Sequence, residues 1–134
     1  MNHTREPSFD VVDPPEPFSR WERAAIDRLL ALDHPWTDVV REQLNEARVT
    51  ARCAHCPSID IVVEPDAPRL PRMDPPLSPP ALHGRDADGM WVEIVLIPSE
   101  GVITALDVWR GDLARCVEPP LDTFGPAVYW NEEP

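Results

Sequence analysis

The chain has 134 residues, a formal net charge of −12, 18 Pro against 5 Gly, and twelve Arg with no Lys. That length suits one domain, whose core needs no disulfide staples. The acidity and the lack of any basic run argue against nucleic acid or an anionic membrane surface as partner, and no stretch is apolar for the ~20 residues a membrane-spanning helix needs.

Residues 1–17 hold one Arg and four acids, together with Pro, and read as a flexible acidic tail. They contain neither the basic nor the apolar region of a secretion signal. The expectation is a cytoplasmic protein with three reduced cysteines. Residues 18–116 carry the periodic sequence and are read as a single α+β domain. A capping box, Ser19 with Glu22, opens a helix over Phe18–Leu32. Trp21, Ala25, Leu29 and Leu32 line its apolar face, with Ile26 and Leu30 widening it. Asp33-His34-Pro35 breaks that run. A second helix from about Trp36 to Glu46 carries the stripe Trp36, Val39, Val40 and Leu44. The short break predicts a helical hairpin, with Trp21 and Trp36 in the core.

The period then changes to two. Arg48–Cys53 and Ile59–Glu64 alternate, which predicts a β-hairpin around the loop 54–58. The expected register sets Cys53 opposite Ile59, Ala51 opposite Ile61 and Val49 opposite Val63. It also pairs Arg52 with Asp60 and Arg48 with Glu64 across the outer face. Residues 65–80 hold seven Pro and read as an extended surface loop. Arg85–Gly89 is a turn cluster. A second hairpin, Met90–Ile97 with Val102–Trp109, closes through a three-residue loop Ser99-Glu100-Gly101. Val92, Ile94, Leu96, Val102, Thr104, Leu106 and Val108 are predicted to face the core. Trp91, Glu93, Val95, Ile97, Ile103, Ala105, Asp107 and Trp109 fall on the far face, Trp91 opposite Trp109 and Glu93 opposite Asp107. Residues 117–134 hold four acids and no base and read as a Pro-rich acidic tail, with Val128-Tyr129-Trp130 as a segment that could dock. The predicted fold is therefore α+β: an N-terminal helical hairpin on one face of a four-stranded antiparallel sheet of two β-hairpins.

The segments Arg52-Cys53-Ala54-His55-Cys56-Pro57-Ser58-Ile59 and Gly101-Val102-Ile103-Thr104-Ala105-Leu106-Asp107-Val108-Trp109 carry a resemblance. They are similar to a family of small uncharacterised actinobacterial proteins. In these, two helices precede an R-C-x-C-x-C-P-[ST]-[IV]-[DE]-L hairpin and a later G-x-[LI]-x-x-L-[DE]-V-[YW] strand. The resemblance covers roughly residues 18–110. Ala54-His55 leave this chain one cysteine short of that pattern. The resemblance implies the fold and brings no activity, cofactor or partner.

Three residue sets invite a functional reading. Cys53 and Cys56 have the spacing of one half of a zinc knuckle, for which Cys116, His55 and His83 are the remaining candidate ligands. Two cysteines do not complete a structural zinc site, so zinc stands as a possibility beside thiol redox chemistry and beside ordinary core and loop cysteines. Glu93 and Asp107 could share a proton as an acid–base pair. They could also be neutralised by Arg48 or Arg52 from within the chain, or by a basic group from a partner. Trp91 and Trp109 beside those acids suit a cation, by stacking and charge together. The opposing reading is that the 65–80 loop or Tyr129-Trp130 covers this face.

No nucleophile elbow, phosphate-binding loop or dinucleotide fingerprint occurs. The leading expectation is an acidic interaction module, of an immunity or inhibitor type, whose Trp91, Glu93, Asp107 and Trp109 bind a basic protein. A small-molecule-binding domain or enzyme using the same face is the alternative. A zinc or thiol-redox protein is the third. The sequence leaves monomer or dimer undetermined.

Overall fold

The computed structural model describes residues 9–72 and 79–129. Its elements are β1 (Phe9–Glu16), α1 (Arg20–Leu29), α2 (Thr37–Asn45), β2 (Arg48–Cys53), β3 (Ile59–Val62), β4 (Pro80–Arg85), β5 (Trp91–Ser99), β6 (Val102–Arg110), a single 3-10 turn (Leu121–Thr123) and β7 (Val128–Tyr129). All strands join one antiparallel sheet in the order β1-β2-β3-β6-β5-β4-β7. The α+β class stands, but the expected four-stranded sheet does not. Among the described residues six strands have four residues or more, and the two-residue β7 makes a seventh.

The two predicted hairpins are β2–β3 and β5–β6, and they meet edge to edge through β3 and β6. Two of the three unexpected strands, β1 and β4, contain Pro, and the third, β7, pairs with Pro80. β1 reads Phe-Asp-Val-Val-Asp-Pro-Pro-Glu and forms one edge of the sheet. An edge strand tolerates Pro because one side of its backbone needs no partner. β4 begins at Pro80 and pairs with β5 from Ala81 to Arg85. β7 closes the other edge, Pro80 opposite Tyr129 and Ala81 opposite Val128. Residues 9–16, expected in a tail, thus belong to the sheet. Residues 117–129, likewise expected in a tail, are tied to α1. Arg28 donates to the Phe124 carbonyl at 2.7 Å, and Trp21 Nε1 donates to the Pro119 carbonyl at 2.9 Å. Trp21 is accordingly half-buried at the rim, whereas Trp36 is buried as predicted. Phe124 lies flat on Gly84 of β4: a Cβ there would sit 2.5 Å from its ring, so only Gly permits this approach.

The capping box forms as the sequence requires. Glu22 N–H donates to Ser19 Oγ at 3.1 Å, and Ser19 N–H donates to Glu22 Oε1 at 2.8 Å. One continuous core joins Ala25, Ile26, Leu29, Val40 and Leu44 of the helices to Val49, Ile59, Leu82, Val92, Ile94, Leu96, Leu106 and Val108 of the sheet. Each fully buried Leu or Ile contributes roughly 1.5–3 kcal/mol by leaving water. Among the described residues, no helix is long and apolar enough to cross a membrane.

The registers differ from expectation. In the first hairpin Val49 lies opposite Ile61, Ala51 opposite Asp60 and Arg52 opposite Ile59, with an irregularity between Val49 and Ala51. The charge pairs Arg52–Asp60 and Arg48–Glu64 therefore do not form. Arg52 turns instead to Glu16 and Glu22. In the second hairpin the turn is two residues, Glu100-Gly101, with φ of 53° and 84°, and Ser99 pairs with Val102. Two successive positive φ angles suit the right-handed twist of the flanking strands. A bulge between Ile97 and Pro98 then shifts the pairing, so Glu93 lies opposite Trp109 and Val95 opposite Asp107. Ile103, expected on the far face, is fully buried in the core beyond that bulge.

Candidate partner-binding face

Strand alternation places Ala81, His83 and Arg85 of β4, Trp91, Glu93, Val95 and Ile97 of β5, and Ala105, Asp107 and Trp109 of β6 on the sheet face away from the helices. The four residues singled out from sequence share this face, although neither predicted opposition holds. Trp91 and Trp109 are diagonal neighbours and still touch edge to face, ring centroids 5.8 Å apart at 75°. Trp91 is 37% exposed. Its other side is stacked on His83, centroids 5.3 Å apart at 18°.

Glu93 is the centre of the arrangement. Its side chain is only 1% exposed, and His83 Nε2 lies 2.9 Å from Glu93 Oε2. The other oxygen, Oε1, is buried with no hydrogen-bond partner among the described residues. A carboxylate oxygen in that position retains unmet acceptor capacity, which costs free energy until a donor arrives. Neither Arg48 nor Arg52 supplies it, against the internal-neutralisation reading: Arg48 is exposed, and Arg52 is engaged on the far side of the sheet edge. Arg85, the Arg that the register places on this face, donates to the Gly89 carbonyl at 2.9 Å.

Asp107 accepts from Ser58 Oγ at 3.1 Å, and the same hydroxyl accepts from Val108 N–H at 2.8 Å. Asp60 of β3 lies opposite Ala105 on this face. Burial, and then the charge of Asp107, holds its carboxyl above the usual carboxylate range. Asp60 and Asp107 thus repel one another, and a cation set between them would relieve both. From sequence, His83 stands only as a candidate metal ligand and Asp60 only as the partner of Arg52, so neither is assigned to this site. His83 lies on β4, a strand hidden by its Pro and Gly, and the expected register assigned Asp60 to Arg52.

The segments expected as cover for this face, parts of the 65–80 loop and Tyr129-Trp130, fall partly on residues 73–78 and 130, which lie outside the described residues.

Beside Trp109 and Asp107 the surface sinks into a cavity of about 660 Å³, lined also by Phe9, Cys53, Cys56, Arg110, Arg115 and Cys116. Cys53 does not point into the core as predicted. It is half-buried, with its Sγ 2.9 Å from Cys56 Sγ. Cys116 lines the same cavity but is buried, its thiol pushed up to about 11 chiefly by burial. Among the described residues, no three His, Cys, Asp or Glu side chains gather as a metal cluster. Across the cavity rim Arg110 is held by Asp86 at 2.6 Å, Asp112 at 3.2 Å and Asp88 at 3.3 Å. This internal cation is fully engaged, so it offers little to an incoming anion.

No protein-family model matches the chain, and no curated protein or solved structure matches it either.

Proposed function

We propose that the chain is a protein-interaction module whose outer sheet face takes an arginine side chain from a basic partner. The observation that carries this reading is the buried Oε1 of Glu93, which has no partner among the described residues and lies behind the exposed Trp91. A guanidinium is planar and carries five donors, so it can stack on an indole while donating to a carboxylate. Asp107 and Asp60 add negative charge along the same face, and the net charge of −12 steers a basic partner towards it. An immunity- or inhibitor-type protein acting in the cytoplasm is the biological setting that these properties suit.

The test uses two short peptides that differ only in arginine against its uncharged isostere citrulline, titrated by calorimetry. The arginine peptide is expected to bind at least about tenfold more tightly, since a hydrogen bond to a charged group contributes roughly 1.5–3 kcal/mol. Trp91→Ala should weaken it by roughly 2- to 30-fold, matching a cation–π contribution of about 0.5–2 kcal/mol. Asp107→Ala should weaken it too, and added salt should weaken the wild type. Equal affinity for the two peptides would reject the reading. So would binding indifferent to both substitutions.

The cavity beside Trp109 favours a second reading, a small-molecule site, because about 660 Å³ lies within the range of ligand pockets. A native mass spectrum of protein purified without added metal or chelator separates the two. A stoichiometric organic mass excess supports the second reading, and a bare chain mass supports the first.

A further inference from the structure

The β2–β3 loop contains a feature that partner binding leaves unused. Cys53 closes β2, and its N–H donates to the Ser58 carbonyl at 3.0 Å. This brings the chain back on itself so that Cys53 Sγ and Cys56 Sγ stand 2.9 Å apart. A sulfur–sulfur bond is about 2.0 Å, so a small side-chain movement closes the gap. The loop is braced on both sides. His55 N–H points to Cys53 Sγ at 3.4 Å, and the His55 carbonyl accepts from Cys116 N–H at 3.0 Å. Both thiols line the 660 Å³ cavity, which gives a small reagent access to them.

We propose that Cys53 and Cys56 are a reversible thiol–disulfide site, oxidised by a low-molecular-weight disulfide such as oxidised glutathione. One cysteine thiolate attacks a glutathione sulfur, breaks the glutathione disulfide and releases one glutathione thiolate. The second cysteine thiolate attacks the resulting mixed disulfide and releases the other. Two cysteine thiols are oxidised, two glutathione thiols are formed, and the two protons pass to the departing thiolates.

Burial, then the hydrogen bond with Cys53, pushes the Cys56 thiol upwards. This is the reverse of a strongly oxidising pair, whose reduced form is stabilised as thiolate. The paired sulfurs on a loop braced at both ends fit a switch or clamp on the β2–β3 loop. Cys116 lines the same cavity, but the sulfurs in contact are those of Cys53 and Cys56. Cys116 is buried, and its Sγ lies 3.2 Å from the Val117 carbonyl.

The experiment equilibrates the folded full-length chain in glutathione buffers of varied ratio, traps remaining thiols by alkylation and maps them by mass spectrometry. The expected product has lost two hydrogens, links Cys53 to Cys56 and keeps Cys116 alkylatable. Its equilibrium constant should exceed that of the same chain in denaturant by at least about tenfold, because the fold pre-positions the sulfurs. Cys53→Ser and Cys56→Ser should each instead retain one glutathione on the remaining loop cysteine. Equal constants in the folded and denatured chains would overturn the proposal. A link through Cys116, or a persistent glutathione adduct on the wild type, would do the same.

Discussion

Replacing Arg52 by Met is expected to destabilise the fold by about 2–3 kcal/mol. Glu22 is only 3% exposed, and Arg52 is its charged partner. The same guanidinium reaches Glu16 Oε1 at 3.0 Å, so it ties α1 to both β1 and β2. Glu22 Oε1 already accepts the Ser19 N–H that caps α1. Without Arg52 the carboxylate keeps that one bond and loses its neutralising charge. Glu118 makes the loss worse. Burial, and then the charge of Glu22, already pushes its carboxyl upwards. Breaking a fully buried pair costs about 3–5 kcal/mol, and the lower figure here allows for solvent reaching Arg52, which is 31% exposed. The check is urea unfolding of Arg52→Met, Glu22→Gln and the double variant. The midpoint should fall for Arg52→Met at unchanged slope, and the double variant should recover much of the loss. A loss of stability below about 0.5 kcal/mol would mean the pair is solvated and contributes little.

Gln43→Leu is expected to cost about 2–4 kcal/mol, and its origin is a strand defect. The register shift at Ile97 and Pro98 interrupts the regular pairing beside Ile103, and the Ile103 N–H is met by a side chain instead. Gln43 of α2 repairs the ladder: its Oε1 accepts the Ile103 N–H at 2.9 Å. Its Nε2 donates to the Gly101 carbonyl at 2.9 Å and to the Pro68 carbonyl at 2.8 Å. Leu fills a similar volume and supplies none of these bonds. Pro68 is exposed, so its carbonyl finds water, and the Gly101 carbonyl keeps the Leu70 N–H at 2.9 Å. The stranded group is the Ile103 N–H, in a residue with no exposure. Hydrogen exchange at that amide should accelerate far more than exchange at Leu106. Uniform acceleration across β6 would instead indicate global loosening.

These two residues also mark where the sequence was readable. The helices were legible because Ser19 and Glu22 are a cap with a mechanism and the apolar stripes have one period. The facing of Val92, Ile94, Leu96, Leu106 and Val108 was legible because strand parity survives a two-residue slip. The pairings were not. Glu100 adopts a left-handed conformation that its residue type does not advertise, and the bulge at Pro98 flips Ile103 into the core. β1 and β4 were hidden by Pro14, Pro15, Pro80 and Gly84, which suppress strand signals that edge position and neighbouring rings tolerate. Losing β4 meant losing His83. The candidate face was therefore read from Trp91, Glu93, Asp107 and Trp109 without the imidazole that fills one side of Glu93 and stacks on Trp91.

The central claim is that this face recognises a guanidinium through Trp91 and the carboxylates behind it. The most direct measurement is a two-dimensional NMR titration of the indole N–H signals with the arginine peptide, each signal assigned by Trp→Phe substitution. The indoles of Trp91 and Trp109 should shift together and saturate with one affinity. Trp21, whose indole is committed to the Pro119 carbonyl, should stay in place. Shifts confined to Trp21 or Trp36, or the same shifts with the citrulline peptide, would contradict the account.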